Sequence, residues 1–296
     1  MGLVRKIAVT GASGFVGRHV LCELVGRGMN VVAVTRDKNK LADFAGQVEV
    51  VELDLAYDAP AVFEQLGRPD VLIHLAWDGL PNYRSLHHFE TELPRQYAFL
   101  SRMIRNGLKR LVVSGTCLEY GMQSGPLSED MDMHPANPYG YAKNALHNQL
   151  DYLRGQSGFH LAWARLFYVF GEGQNEASLL PQLKKAVAEG SPVFNMSGGE
   201  QLRDYLAISE VASSLVALAE CQRHVGAVNI CSGVPCSVRR VVEQWILENQ
   251  WDIRLNLGFY PYPDYEPMAF WGRREKLDAV LKGFGHATSV THSRRE

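Results

Sequence analysis

At 296 residues, with a formal net charge of −2 and both signs spread along its length, the chain is long enough to bury a substantial core. The near-neutral balance and the lack of a basic block argue against nucleic-acid binding, and no apolar run is long enough to span a bilayer. Five cysteines (Cys22, Cys117, Cys221, Cys231 and Cys236) without Cys-x-x-Cys spacing argue against a disulfide framework or a zinc site, and the ten histidines form no ligand motif, so no metal is expected.

Short β-branched runs at 6–10, 31–35, 48–53, 71–76, 110–115 and 160–167 predict strands. Several are apolar on both faces, as strands covered by helices on each side must be. Between the first two, Val16, Val20, Leu21 and Leu24 form a helical stripe that Gly26 and Gly28 stop. His87 and His88, adjacent and so divergent on a helix, read as surface or pocket-rim residues. Asn137 and Pro138 suit the cap and first turn of a further helix. One more strand returns at 227–231. The alternation predicts an α/β fold with a doubly wound, parallel Rossmann sheet.

After about residue 170 the texture changes. Residues 171–174 and 197–200 read as loops, 179–188 and 238–248 as helices, and Phe259-Tyr260-Pro261-Tyr262-Pro263 cannot be a central strand. Two parts are expected: residues 1–170, joined again by about 203–234, and a smaller lobe at 171–296 over the carboxyl ends of the strands, where ligands bind in such folds. The polar stretch 286–296 reads as a frayed tail. The first residues offer no signal-peptide hydrophobic segment, so a cytoplasmic protein is expected.

Thr10-Gly11-Ala12-Ser13-Gly14-Phe15-Val16-Gly17 follows the first strand and opens the first helix. Glycine permits the tight turn and lets the backbone approach a pyrophosphate at a helix N-terminus. A dinucleotide is therefore expected against this segment, with Ser13, Phe15 and Val16 beside it. Arg36 follows the second strand, with Lys38 and Lys40 close behind. Its guanidinium can pair with a 2′-phosphate, which favours NADP(H) over NAD(H), although Asp37 could itself reach a ribose. Asp54, just past the third strand, is expected to meet the adenine amino group, with Leu55 next to it.

Tyr139 and Lys143 are four residues apart and share a helical face. A phenol with a reference pKa of about 10 is a poor acid–base group at neutral pH. A nearby ammonium favours the phenolate and draws that value towards the working range. Thr116 adds a hydroxyl that can hydrogen-bond the reacting oxygen. These three are the candidate catalytic residues, moving a proton while a hydride moves.

Taken together, these segments resemble the extended short-chain dehydrogenase/reductase family, in its nucleotide-sugar epimerase/reductase branch, over about residues 5–283. The turn at Gly11, Gly14 and Gly17 is similar to that family's cofactor turn, and His74-Leu75-Ala76 to its fourth-strand signature. Ser114-Gly115-Thr116-Cys117-Leu118-Glu119-Tyr120-Gly121 resembles its catalytic Ser/Thr segment, and Tyr139 to Lys143 its Tyr-x-x-x-Lys. Arg165-Leu166-Phe167-Tyr168-Val169-Phe170-Gly171, Gln201-Leu202-Arg203-Asp204-Tyr205-Leu206 and Val228-Asn229-Ile230-Cys231-Ser232-Gly233 resemble later signatures. The resemblance implies that Leu75, Ala76, Ser114 and Phe167 join the cofactor site and that Lys143 holds the nicotinamide ribose. It implies that Arg203 holds a sugar-nucleotide diphosphate, unless it simply forks with Asp204, and that Arg273 supplies a second charge. Trp77 should face the sugar, with Leu180 and Tyr168 in the substrate site and Phe194-Asn195 near the base. Glu119 would reach the sugar or stand as a rim carboxylate.

Three departures matter. Cys117 and Leu118 stand where the family's 4,6-dehydratases carry Asp and Glu, so water elimination is not expected. Tyr168 replaces the strand-end asparagine, and Thr91-Glu92 a helix asparagine. The implied activity is an NAD(P)H-dependent ketoreductase acting on a nucleotide-diphosphate 4-keto-6-deoxy sugar. The alternatives are an NAD-dependent 4-epimerase and a non-catalytic cofactor sensor. A homodimer through two helices, one carrying Tyr139, is implied by analogy.

Overall fold

Ile7, Ala8 and Val9 are wholly buried, so the first strand has no solvent face and must be covered on both sides. The computed structural model describes residues 6–56, 61–264 and 266–283; the tail expected at 286–296 lies outside them. β1 (Ile7–Thr10) leads into α1 (Phe15–Gly26), then β2 (Val31–Thr35), β3 (Glu49–Glu52), the single turn α2 (Val62–Gln65) and β4 (Val71–His74). α3 (Leu93–Arg105), β5 (Arg110–Thr116), β6 (Gly125–Leu127), α4 (Pro138–Ser157) and β7 (His160–Leu166) follow. Next come β8 (Tyr168–Phe170), α5 (Leu179–Ala188), β9 (Val193–Asn195), β10 (Leu202–Ala207), α6 (Ile208–Glu220) and β11 (Gly226–Ile230). β12 (Pro235–Ser237), α7 (Val238–Asn249), β13 (Arg254–Asn256), β14 (Phe270–Gly272) and α8 (Glu275–Lys282) come last, and short tight or widened turns lie at Lys38–Phe44, His88–Glu92 and Cys117–Tyr120.

Seven strands pair in parallel in the order β11-β7-β5-β4-β1-β2-β3. β1 lies between β2 and β4, with Ile7 opposite both Val31 and Val71. The strand order reverses there, which opens a crevice at the carboxyl ends of β1 and β4. On one face Val20 and Leu24 of α1 meet Val211 and Leu215 of α6 and Leu277 of α8. On the other, Leu100 and Met103 of α3 meet Leu146 and Leu150 of α4. Each fully buried leucine contributes about 1.5–3 kcal/mol, which fixes the helices that carry the site.

The fourth strand ends at His74, two residues before the expected limit. There the chain passes over the glycine turn: Gly11 has φ +69°, and a Cβ on it would lie 2.7 Å from the Ala76 amide nitrogen. β5 instead runs one residue longer, to Thr116, because that residue still pairs with Leu166. α6 escapes a periodicity reading because most of it is buried, leaving no polar stripe. In the C-terminal part Leu183, Phe194, Met196, Val242 and Trp245 form a separate apolar cluster. The short sheets β12-β10-β8, β13-β9 and β14-β6 tie it above the strand ends. No helix among the described residues is long and apolar enough to cross a membrane.

Candidate active site

A cleft of ≈ 940 Å³ opens at the carboxyl ends of the strands. Gly11, Gly14, Phe15, Val16 and Gly17 form one wall, and Leu75, Trp77 and Ser114 continue it. The turn is a bare backbone cradle: a Cβ on Gly17 would collide with the Gly11 carbonyl, and one on Gly14 would lie 3.2 Å from it. Its amides open the twelve-residue α1, where a diphosphate is favoured. The residues present therefore fit a dinucleotide. Gly17→Ala is expected to cost about 1–3 kcal/mol of folding stability through overpacking and to abolish NADH binding, read by urea unfolding and calorimetric titration. Unchanged affinity would show that the turn is not the cofactor cradle.

Asn137 accepts from the Gly140 amide at 2.8 Å and starts α4. That start directs Tyr139 and Lys143 into the cleft, where Thr116 at the end of β5 joins them. The Thr116 hydroxyl accepts from the Leu118 amide at 3.3 Å, which leaves its own proton to donate. Lys143 Nζ donates to the Ser114 carbonyl at 2.9 Å and lies 4.0 Å from the centre of the Trp77 ring. Burial lowers the Lys143 ammonium to about 7, against the opposing pull of Glu119 and Glu92. The Tyr139 phenol goes the other way: burial, then Tyr83, Glu119 and Cys117, push it well above its ordinary value. Lys143 was expected to draw that phenol down. The correction has a physical cause, since Tyr139 is buried among the Trp77, Tyr83 and His88 rings, and Lys143 sits 5.8 Å from its ring centre.

Other expected residues fall in different places. Phe167, Tyr168 and Leu180 line the cleft, and Ala76 borders it where it covers Gly11. Ser13 stands just behind the turn, its hydroxyl 2.9 Å from that of Thr35. Asp54 accepts from the Ala56 amide at 2.9 Å, and Leu55 packs on the α3 side of the core. Arg36 is exposed, and its guanidinium lies 3.7 Å from the Asp78 carboxylate. Asp37 caps the following turn through the Asn39 amide.

Glu119 requires correction on both expectations, since it is neither at the rim nor facing the cleft. It is wholly buried, accepts from the Thr116 amide at 2.8 Å and the Trp163 indole at 2.9 Å, and pairs with Arg165 at 2.8 Å. Arg203 is also buried. Its guanidinium stacks 4.6 Å from the Phe270 ring centre and pairs with Glu266 at 3.0 Å, not with Asp204. Asp204 instead accepts from the Ser232, Gly233 and Gly272 amides. Phe194 belongs to the C-terminal apolar cluster, and Asn195 accepts from Asn256 at 2.7 Å. Arg273 is exposed and outside the cleft lining.

The sequence reading missed the loop that roofs the cleft, including Leu80, Asn82, Tyr83 and Arg84, and it missed Glu266 on the opposite wall. Arg84 pairs with Asp264 from the C-terminal part. His88, expected at the surface or the pocket rim, is instead wholly buried against Tyr139. Trp77, directly after the fourth strand, is the sequence signal that pointed here.

Comparison with known proteins gives a family and a shared fold. A model described as the NAD dependent epimerase/dehydratase family matches residues 7–231. The dTDP-6-deoxy-L-talose 4-dehydrogenase (NAD(+)) of Aggregatibacter actinomycetemcomitans is 31% identical over 271 residues, covering 91% of this chain and 100% of that protein. An uncharacterized UDP-glucose epimerase, YtcB, of Bacillus subtilis (strain 168) is 27% identical over 306 residues, covering 96% and 94%. Among solved structures, MoeE5 in complex with UDP-glucose and NAD is similar at a TM-score of 0.78 and 28% identity, covering 94% of this chain and 92% of that one.

Proposed function

The chain belongs to the NAD dependent epimerase/dehydratase family, and from that membership we propose that it is an NAD(H)-dependent 4-ketoreductase of a nucleotide-diphosphate 4-keto-6-deoxy sugar. The observation that carries this reading is the convergence of Thr116, Tyr139 and Lys143 on one cleft in which Cys117 and Leu118 supply no carboxylate. Elimination needs an acid and a base beside the sugar ring. Burial pushes the Cys117 thiol far up, so it stays neutral and cannot act as that base. Similarity to a deoxysugar 4-dehydrogenase supports chemistry at carbon 4.

The nicotinamide, when bound, supplies the hydride for reduction and accepts it in the reverse direction. Tyr139, held as a neutral phenol, donates its proton to the sugar O4 as the carbonyl becomes an alcohol. Thr116 donates a hydrogen bond to the same oxygen, and Lys143 holds the nicotinamide ribose. NAD(H) is the form proposed because a 2′-phosphate drawn to Arg36 would meet the Asp78 carboxylate; the NADP(H) preference read from Arg36 alone is not carried forward. A homodimer through α3 and α4 belongs to the same proposal, supported by the exposed Tyr141 and Tyr152 on α4.

The test is turnover. Purified protein mixed with NADH and a panel of nucleotide-linked 4-keto-6-deoxyhexoses is expected to oxidise NADH with at least one of them. A preference of about tenfold or more over NADPH in kcat/KM, or about 1.4 kcal/mol, should accompany it. Inversion at C4 of a nucleotide-linked 4-hydroxyhexose, with bound NAD+ and no need for added NADH, would replace the proposal with a 4-epimerase.

A further inference from the structure

Trp77 and His88 form a connected unit beneath the reacting groups. The Trp77 indole N–H donates to His88 Nδ1 at 3.1 Å. An indole nitrogen can only donate, so Nδ1 must be unprotonated. The imidazole proton is therefore on Nε2, which donates to the Asn82 carbonyl at 2.8 Å. His88 is wholly buried, with its ring centre 5.2 Å from that of Tyr139. The other face of the unit carries Lys143: its Nζ lies 4.0 Å from the centre of the Trp77 ring. A desolvated ammonium over an indole face is among the stronger cation–π arrangements. Asn82 belongs to the roof loop, and the next carbonyl, that of Tyr83, accepts from the Tyr139 amide at 3.2 Å. One neutral imidazole thus joins the roof loop, the indole under Lys143 and the ring of Tyr139.

We propose that His88 is a positioning residue for the reaction, whose neutral Nε2–H tautomer holds the Trp77 indole under Lys143 and so fixes the Lys143–Tyr139 pair. It touches neither substrate nor cofactor in this role. The inference rests on the reading of Tyr139 and Lys143 as catalytic. A second proton on His88 would sit on Nδ1, facing the Trp77 N–H, and would bring a cation towards Lys143. That breaks the indole contact, so turnover falls as His88 titrates on the acid side. The charged and titratable groups facing His88 are Lys143 and Tyr139 from α4, and His87 and Glu92 from its own segment. Glu92 is itself engaged, with His87 and Arg95 at 3.7 and 3.6 Å from its carboxylate. Burial, against the Asn82 bond, keeps His88 below its ordinary value, which places the loss at the acid end.

Two measurements test this. Nitrogen-15 NMR of histidine-labelled wild-type protein should show His88 with Nε2 protonated and Nδ1 bare at about pH 7.5; an Nδ1-protonated or cationic ring overturns the proposal. This readout needs no substrate, so a failed substrate panel and a failed tautomer are separate results. For catalysis, His88→Ala should lower kcat by about tenfold to a hundredfold through misplacement of the pair. His88→Gln, whose amide oxygen can accept from Trp77 and whose amide nitrogen can donate to Asn82, should recover most of that loss. It should also lose the acid limb of the kcat profile, because an amide does not titrate. A merely structural role predicts a wild-type acid limb in His88→Gln, and that result, or a wild-type kcat in His88→Ala, overturns the proposal.

Discussion

Tyr139→Phe is expected to lower kcat by about 10²–10⁴-fold while NADH still binds with near wild-type affinity. The expectation comes from the site itself. Tyr139 lines the cleft with Thr116 and Lys143, and burial keeps its phenol protonated. Its ring packs against Trp77, Tyr83 and His88, and phenylalanine preserves those contacts. The cofactor turn is untouched by the change, so binding and chemistry should separate. Single-turnover kinetics with saturating NADH is the check, and near-normal turnover would remove Tyr139 from the mechanism. Ketone reduction consumes one proton, so its equilibrium constant should fall about tenfold per pH unit. Lys143 adds a stability signature. Its folded-state value of about 7 lies below the ordinary lysine value, so between the two the unfolded chain binds more protons. Stability should rise with pH across that window and level off above it.

The second large effect is structural. Glu119→Ala is expected to destabilise the fold by about 3–5 kcal/mol, because it leaves the buried Arg165 guanidinium without its partner. The carboxylate holds three groups on two strands in place: the Thr116 amide at the end of β5, and the Trp163 indole and Arg165 guanidinium of β7. Arg165 in turn reaches the Tyr120 hydroxyl, which donates to Asn229 on β11 at 2.8 Å. Urea unfolding reads the loss directly, and a change below about 1 kcal/mol would mean that water or a shifted side chain replaces the carboxylate. Because Glu119 also closes the cap that orients Thr116, kcat should fall in the variant even where it remains folded.

The parts of this molecule that are local in sequence were legible before the structure. The glycine turn lies on a single strand–helix junction and the Tyr139–Lys143 pair on a single helix, where spacing alone decides which way groups point. The parallel sheet was legible too, from strands apolar on both faces. What escaped depends on contacts between distant segments. Glu119 looks like a rim carboxylate until Trp163 and Arg165, more than forty residues on, are seen to enclose it. Arg203 looks free for a phosphate until Glu266 closes on it. A paired, buried arginine can still meet a diphosphate, but Glu266 must first give it up, which the residue type alone does not reveal. Arg36 likewise read as an open cation before Asp78, across the strand order, supplied its neighbour. His88 was misplaced because helical periodicity says nothing of a segment whose backbone widens into a π-turn at His88–Glu92.

The most direct test of the account follows the hydride. NADH carrying deuterium at the transferred position should be turned over with the responding 4-keto-6-deoxyhexose nucleotide, and the product examined by proton NMR and mass spectrometry. The account predicts one deuterium at C4 of the sugar for each NAD+ formed, with the same labelling abolished in Tyr139→Phe. A product whose C4 carries no deuterium although NAD+ has formed, or a product that has lost water, would contradict it.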